Sequence, residues 1–196
     1  MLNVERRVNG DPARDVPLTR AGEHAARGLR YELANVPIEV CVHTRFSRTS
    51  ATALLALEGR PVPFVEERLL DDIDVGELEG HSIDDYRAWK AAHTRRDRFP
   101  GGESLDEAAA RYARAFRVLL ARPERSMLVV CHEIPIRYAV NAAAGSGDLD
   151  EPEHVVPNAA PFLFDAAGLE RAAAGIELLA GTRARPGPGG AARATA

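Results

Sequence analysis

His132 stands where the apolar run MLVVC (127–131) stops and a helical stretch begins. A residue so placed lies at the carboxyl end of a buried strand, where open parallel sheets gather their ligands. Arg45 and Arg48 follow the β-branched run IEVCVH (38–43) in the same way, at the start of the next helix. Free N–H groups at a helix start favour anions, and a guanidinium fork holds two oxygens of a phosphate at once. Asp71, Asp72 and Asp74 crowd a loop that also carries Gly76 and Gly80. Mutual repulsion among carboxylates favours keeping one of them protonated near neutral pH. A protonated carboxyl beside a phosphate ester is a proton donor for the leaving oxygen. Fork, acid and histidine together make a set for phosphoryl chemistry.

Each has a blander rival. A histidine after a strand can be a satisfied structural residue, the arginines a surface pair, the aspartates a solvated acidic turn. Asp-x-Asp spacing also suits a hard cation such as Mg²⁺ or Ca²⁺, although the loop matches no defined metal motif. His24, His43, His81, His93 and His154 show no metal-ligand spacing, and the chain has neither a P-loop nor a dinucleotide fingerprint. Cys131 and His132 are strand-end neighbours with side chains on opposite faces, which argues against a Cys–His nucleophile. Ser104 in GGES reads as a cap rather than a nucleophile.

The elements that must position these residues follow from pattern. Thr19 caps a helical run beginning at Arg20, and Pro37 ends it. IEVCVH reads as a buried strand, residues 47–58 as a helix stopped by Gly59, and PVPFVEERLL as holding a short extended segment. Ile83 to Ala92 reads as a helix. Ser104, with Glu107 three residues on, opens a long helix through a capping box. SMLVVC is a second buried strand, followed by a helix from Ile134 to Ala144. APFLFDA (160–166) and GIELLA (175–180) read as two further strands. The order predicts a three-layer α/β/α sandwich with a mostly parallel sheet. A polar segment feeds the first helix with no strand ahead of it.

The 196 residues suffice to bury a core and point to one domain over 1–182, with RARPGPGGAARATA (183–196) as a disordered tail. Net charge is -4 without an acidic or basic block, so neither nucleic acid nor a membrane surface is an expected partner. No apolar run reaches bilayer length, and MLNVERRVNGDPARD has no signal core; the expected location is the cytoplasm. Cys41 and Cys131, both in apolar runs, read as reduced thiols. Oligomeric state is not legible.

Five segments in order resemble the histidine phosphatases, the phosphoglycerate mutase-like superfamily, over residues 2–165. They are NVERRVNGDP (3–12) with PLTRAG (17–22), VHTRFSRTSATA (42–53), LDDIDVGELEG (70–80), PGGESLDE (100–107) and LVVCHEIPIR (128–137). The resemblance implies that Arg48 and Asn3 bind phosphate, that His132 stabilises the transferring group, and that Asp72 supplies the acid, where the family usually has Glu. It implies a small phosphorylated substrate and no metal or cofactor. Hydrolysis of phosphate monoesters is the expected reaction, because the family's dedicated mutases carry Glu and extra loops. Residues 81–100, with Tyr86, Trp89, Arg95 and Arg96, are the expected source of specificity.

One departure follows from the same resemblance. The family's nucleophile is a histidine in an Arg-His-Gly motif at the end of a first strand. Aligned on Asn3, that strand, its arginine and its histidine fall upstream of Met1. The expectation is therefore a truncated N-terminus and a chain inactive as written, since removal of a covalent nucleophile costs several powers of ten in rate. The alternative is a non-catalytic phosphate-binding or regulatory module.

Overall fold

The computed structural model describes residues 5–150 and 156–183. Thr19 opens α1 (Arg20–Glu32), its hydroxyl accepting from the Gly22 N–H at 2.9 Å, which satisfies one of the amides a helix start leaves unpaired. The chain then enters β1 (Val40–His43), α2 (Ser47–Ala56), β2 (Phe64–Glu66) and α3 (Ile83–Ala92). Ser104 and Glu107 close a reciprocal cap on α4 (Leu105–Leu120). β3 (Met127–Val130), α5 (Glu133–Ala143) and α6 (Ala166–Arg183) complete the order.

The strands form one parallel sheet in the order β2–β1–β3. Val42 pairs with Val65 and Val129, and His43 with Glu66 and Val130. Side chains alternate between the two faces. Cys41, Leu128 and Val130 pack with Leu29, Ala53 and Leu57 of the α1–α2 side. Val42, Val129 and Cys131 pack on the other face with residues such as Tyr112, Tyr138 and Ile176 of α4, α5 and α6. Helical layers on both faces make the three-layer α/β/α fold. Both cysteines are free, and burial pushes each thiol up to about 12. Among the described residues no strand precedes α1, and β3 is bonded to β1 alone. The four residues of β3 are only half-buried, whereas Val40, Cys41 and Val42 are buried.

The two strands expected near the end are not formed. Residues 160–165 adopt no regular element, and residues 175–180 belong to α6. Asp165 starts this helix, its carboxylate accepting from the Gly168 N–H at 2.6 Å. Ala172, Ala173, Ile176 and Ala180 recur at helical spacing, are all buried, and face α4 and α5. GIELLA is therefore part of a helix whose apolar stripe is written mostly in alanine. Of the expected tail, only Arg183 lies among the described residues.

The acidic loop meets the PGG turn backbone to backbone. Gly76 has φ +53°, and a Cβ there would stand 2.1 Å from the Pro100 carbonyl oxygen and 2.5 Å from the Gly102 nitrogen. No flexible side chain is available to yield. Gly76→Ala is expected to lower stability by on the order of 1–3 kcal/mol, read as a reduced urea midpoint with an unchanged slope.

Candidate active site

Because β1 and β3 run parallel, their carboxyl ends share one edge. The His43–Val130 pairing sets Thr44 beside the Cys131–His132 step. Thr44 Oγ1 lies 3.0 Å from His132 Nε2. On the opposite side of the ring, Arg48 Nη2 lies 3.0 Å from His132 Nδ1 and 3.0 Å from Asp72 Oδ2. Asp72 Oδ2 is itself 3.5 Å from Nδ1. The structure thus brings Arg48, Asp72 and His132 together. Phe46 underlies the group, with the Arg48 guanidinium 4.1 Å above its ring centre and His132 edge-on at 4.5 Å.

The carboxyl-bearing loop is held from two directions. Asp71 accepts from the Arg45 backbone N–H at 3.0 Å and from Arg45 Nε at 2.5 Å. Arg111 of α4 donates to the carbonyls of Leu69, Asp71 and Asp72 at 3.0, 2.9 and 3.3 Å, and is anchored by Glu103. Asp74 accepts from the Gly76 N–H at 2.9 Å. The three aspartates therefore have separate partners, and crowding by its neighbours does not govern the protonation of Asp72.

Burial does. It raises the Asp72 carboxyl above its ordinary value, with Arg48 pulling the other way. Burial, reinforced by Arg48 and Arg111, holds His132 well below 6.5, so the imidazole is neutral. Burial also lowers the Arg48 guanidinium, against the opposing carboxylates of Asp72, Glu79 and Asp71. The result is a neutral histidine and a carboxyl with a raised proton affinity, both against one cation. Asn9, Thr44, Thr49 and Arg111 were not singled out in the sequence. Asn9 accepts from Arg48 Nη2 through its carbonyl at 3.2 Å, while its buried side-chain amide has no partner among the described residues. A charged residue on the apolar stripe of α4, between Ala108 and Ala115, was the available signal for Arg111.

A cavity of about 460 Å³ adjoins the group at Asp72, with Asp11, Arg45, Arg98 and Arg111 also in its lining, whereas Arg48 and His132 do not line it. Tyr86 and Trp89 do not line it; both stack on Phe99, at 5.6 and 4.1 Å. Arg95 is bound to Asp106, Asp150 and the Tyr138 hydroxyl, and Arg96 is exposed elsewhere. Arg98 is the member of the 81–100 segment that reaches the cavity. Asn3 and His154 lie outside the described residues. His24, His43, His81 and His93 make no hydrogen bond to Arg48, Asp72 or His132 among the described residues. No group of three or more potential metal ligands occurs there, and no helix is long and apolar enough to cross a membrane.

A parallel sheet with ionisable side chains gathered at its carboxyl edge is the architecture of a ligand-handling α/β protein. The family model of the histidine phosphatase superfamily (branch 1) matches residues 1–168, and the chain belongs to that family. It is 29% identical over 151 residues to a probable phosphoglycerate mutase GpmB of Enterobacter sp. (strain 638), covering 73% of this chain and 69% of that protein. The fold resembles that of the α-ribazole phosphatase from Shigella flexneri (TM-score 0.65, 22% identity, 74% and 75% of the two chains). It also resembles YhfR of Bacillus stearothermophilus (TM-score 0.65, 23% identity, 84% and 81%). A mycobacterial glucosyl-3-phosphoglycerate phosphatase is a further structural relative (TM-score 0.57, 22% identity, 72% of each chain).

The depressed histidine has a stability consequence. Above 6.5 neither folded nor unfolded His132 is charged. Below it the unfolded chain takes up a proton that the folded protein refuses, so stability falls with pH. The raised Asp72 acts with the opposite sign, losing stability as pH rises through its window. The two are separated by comparison with His132→Gln. The drop in urea midpoint between about pH 7.5 and about pH 5 is expected to be smaller in the variant than in the wild type.

Proposed function

We propose that this chain is built to bind the phosphoryl group of small phosphate monoesters, as part of a histidine phosphatase that works through a phosphohistidine. The observation that supports this most directly is the convergence of half-buried Arg48 and Asp72 on buried His132, within 3.5 Å of one another at the carboxyl edge of a parallel sheet. In this reading Arg48 supplies charge to the phosphoryl oxygens. Its Nε–H and Nη1 make no bond to the described residues, which leaves single donors for the anion on either side of Nη2. Asp72, which burial inclines to keep its proton, delivers that proton to the leaving oxygen. His132 and the unpaired Asn9 amide complete the polar lining. Asn3 would join them as a phosphate contact. Domain limits of 1–182 and a cytoplasmic location accompany the proposal.

The 196 residues contain no Arg-His-Gly sequence, and none of the described histidines other than His132 bonds to the site. The chain as given is therefore proposed to bind phosphate without turning over an ester. A purely regulatory phosphate-binding role has the same support.

Orthovanadate and orthophosphate titrations, followed by calorimetry, test the binding. Arg48→Ala is expected to weaken both by about tenfold or more, the worth of one charge-assisted hydrogen bond. With p-nitrophenyl phosphate, the 196-residue chain is expected to give no sustained hydrolysis. Turnover that persists when every histidine is replaced would refute the phosphohistidine mechanism.

A further inference from the structure

Thr49 has a single hydroxyl hydrogen, and two main-chain carbonyls lie beside it: Phe46 at 2.8 Å and Thr44 at 3.2 Å. Carbonyls only accept, so that hydrogen belongs to the backbone. Toward Thr44 Oγ1, 2.8 Å away, Thr49 is then the acceptor. This takes the one hydrogen of Thr44, which faces His132 Nε2 at 3.0 Å as an acceptor in turn. Nε2 must carry the ring hydrogen. The opposite assignment would put a hydrogen on Nδ1, where Arg48 Nη2 points another at 3.0 Å and a guanidinium cannot accept. Thr44, Thr49 and His132 are all buried, so water does not mediate an alternative pattern.

We propose that Thr44 and Thr49 are positioning residues that commit His132 to its Nε2–H tautomer, leaving Nδ1 as the atom that meets a transferring phosphoryl group. Arg48 imposes the same tautomer while it faces Nδ1. An anion that draws the guanidinium toward itself releases that constraint. The threonines retain theirs, because they sit on the far side of the ring and end on the main chain. This inference rests on the phosphate-binding reading only for the identity of the group at Nδ1; the tautomer is measured without turnover.

Long-range ¹H–¹⁵N correlation spectra of the ¹⁵N-labelled 196-residue chain at about pH 7.5, where ordinary histidine is neutral, provide the test. The His132 signal is identified by its loss in His132→Gln. A single Nε2–H form is expected, with and without orthophosphate; an Nδ1–H ring in either state overturns the proposal. Arg48→Met removes the competing constraint. Persistence of the single form supports the threonines, and a mixture assigns the tautomer to the arginine and overturns it. Adding Thr49→Val to Arg48→Met is expected to split the signal into two tautomers, and Thr49→Ser in its place to keep one. An unsplit signal in the valine variant would reduce the pair to packing. If orthophosphate shifts no site resonance, the phosphate-binding reading fails, while the spectrum of the free protein still decides the tautomer.

Discussion

Arg48 Nη2 has two hydrogens and faces three acceptors: the Asn9 carbonyl, Asp72 Oδ2 and His132 Nδ1. These come from the N-terminal segment, the acidic loop and the end of β3. One guanidinium nitrogen therefore ties together three stretches that are far apart in the chain. It can do so because the histidine is neutral and acts as an acceptor. A protonated ring would place like charges about 3 Å apart in a buried site, a strongly unfavourable arrangement. The depressed histidine and the arginine hub are two sides of one constraint.

The hub depends on a scaffold that contributes no chemistry. Arg111 reaches the acidic loop through the carbonyls of Leu69, Asp71 and Asp72, so it fixes where the Asp72 main chain lies without bonding to the carboxyl. Its pairing with Glu103 joins that loop to the PGG turn, where Gly76 allows close backbone approach. Burial of the aspartate follows from this packing. The raised affinity of Asp72 for its proton is thus a consequence of loop placement, which acts against the neighbouring charges of Arg48 and Arg111.

Much of this was legible in the sequence and some was not, for physical reasons. Thr19 and the Ser104–Glu107 box announce helices because capping is local, and β1 and β3 announce themselves by valine-rich apolar runs. Arg48 and His132 were visible as residues immediately after such strands. α6 is read as strand in the sequence because its apolar stripe is mostly alanine, which gives a weak hydrophobic signal; burial against two helices decides for helix. The Thr44–Thr49 relay could not be read at all, since it requires the β1–β3 register. Asp72 was singled out for a reason that the structure replaces, crowding giving way to burial. Asn3 and the expected tail lie largely beyond the described residues.

β3 carries MLVV, half-buried along its length and, among the described residues, bonded through one edge. The other edge, unpaired among the described residues, is a row of donors and acceptors at the spacing of a parallel ladder, next to apolar side chains. Such an edge is a template: an extended segment in compatible register finds hydrogen bonds and apolar contact together. Among the described residues, the strand that carries His132 to its place is for that reason also a point open to intermolecular pairing, as is β2 at the opposite edge of the sheet. Its four-residue length, rather than any charged side chain in MLVV, is what blunts that tendency. Edge pairing and site geometry thereby meet in the same short element.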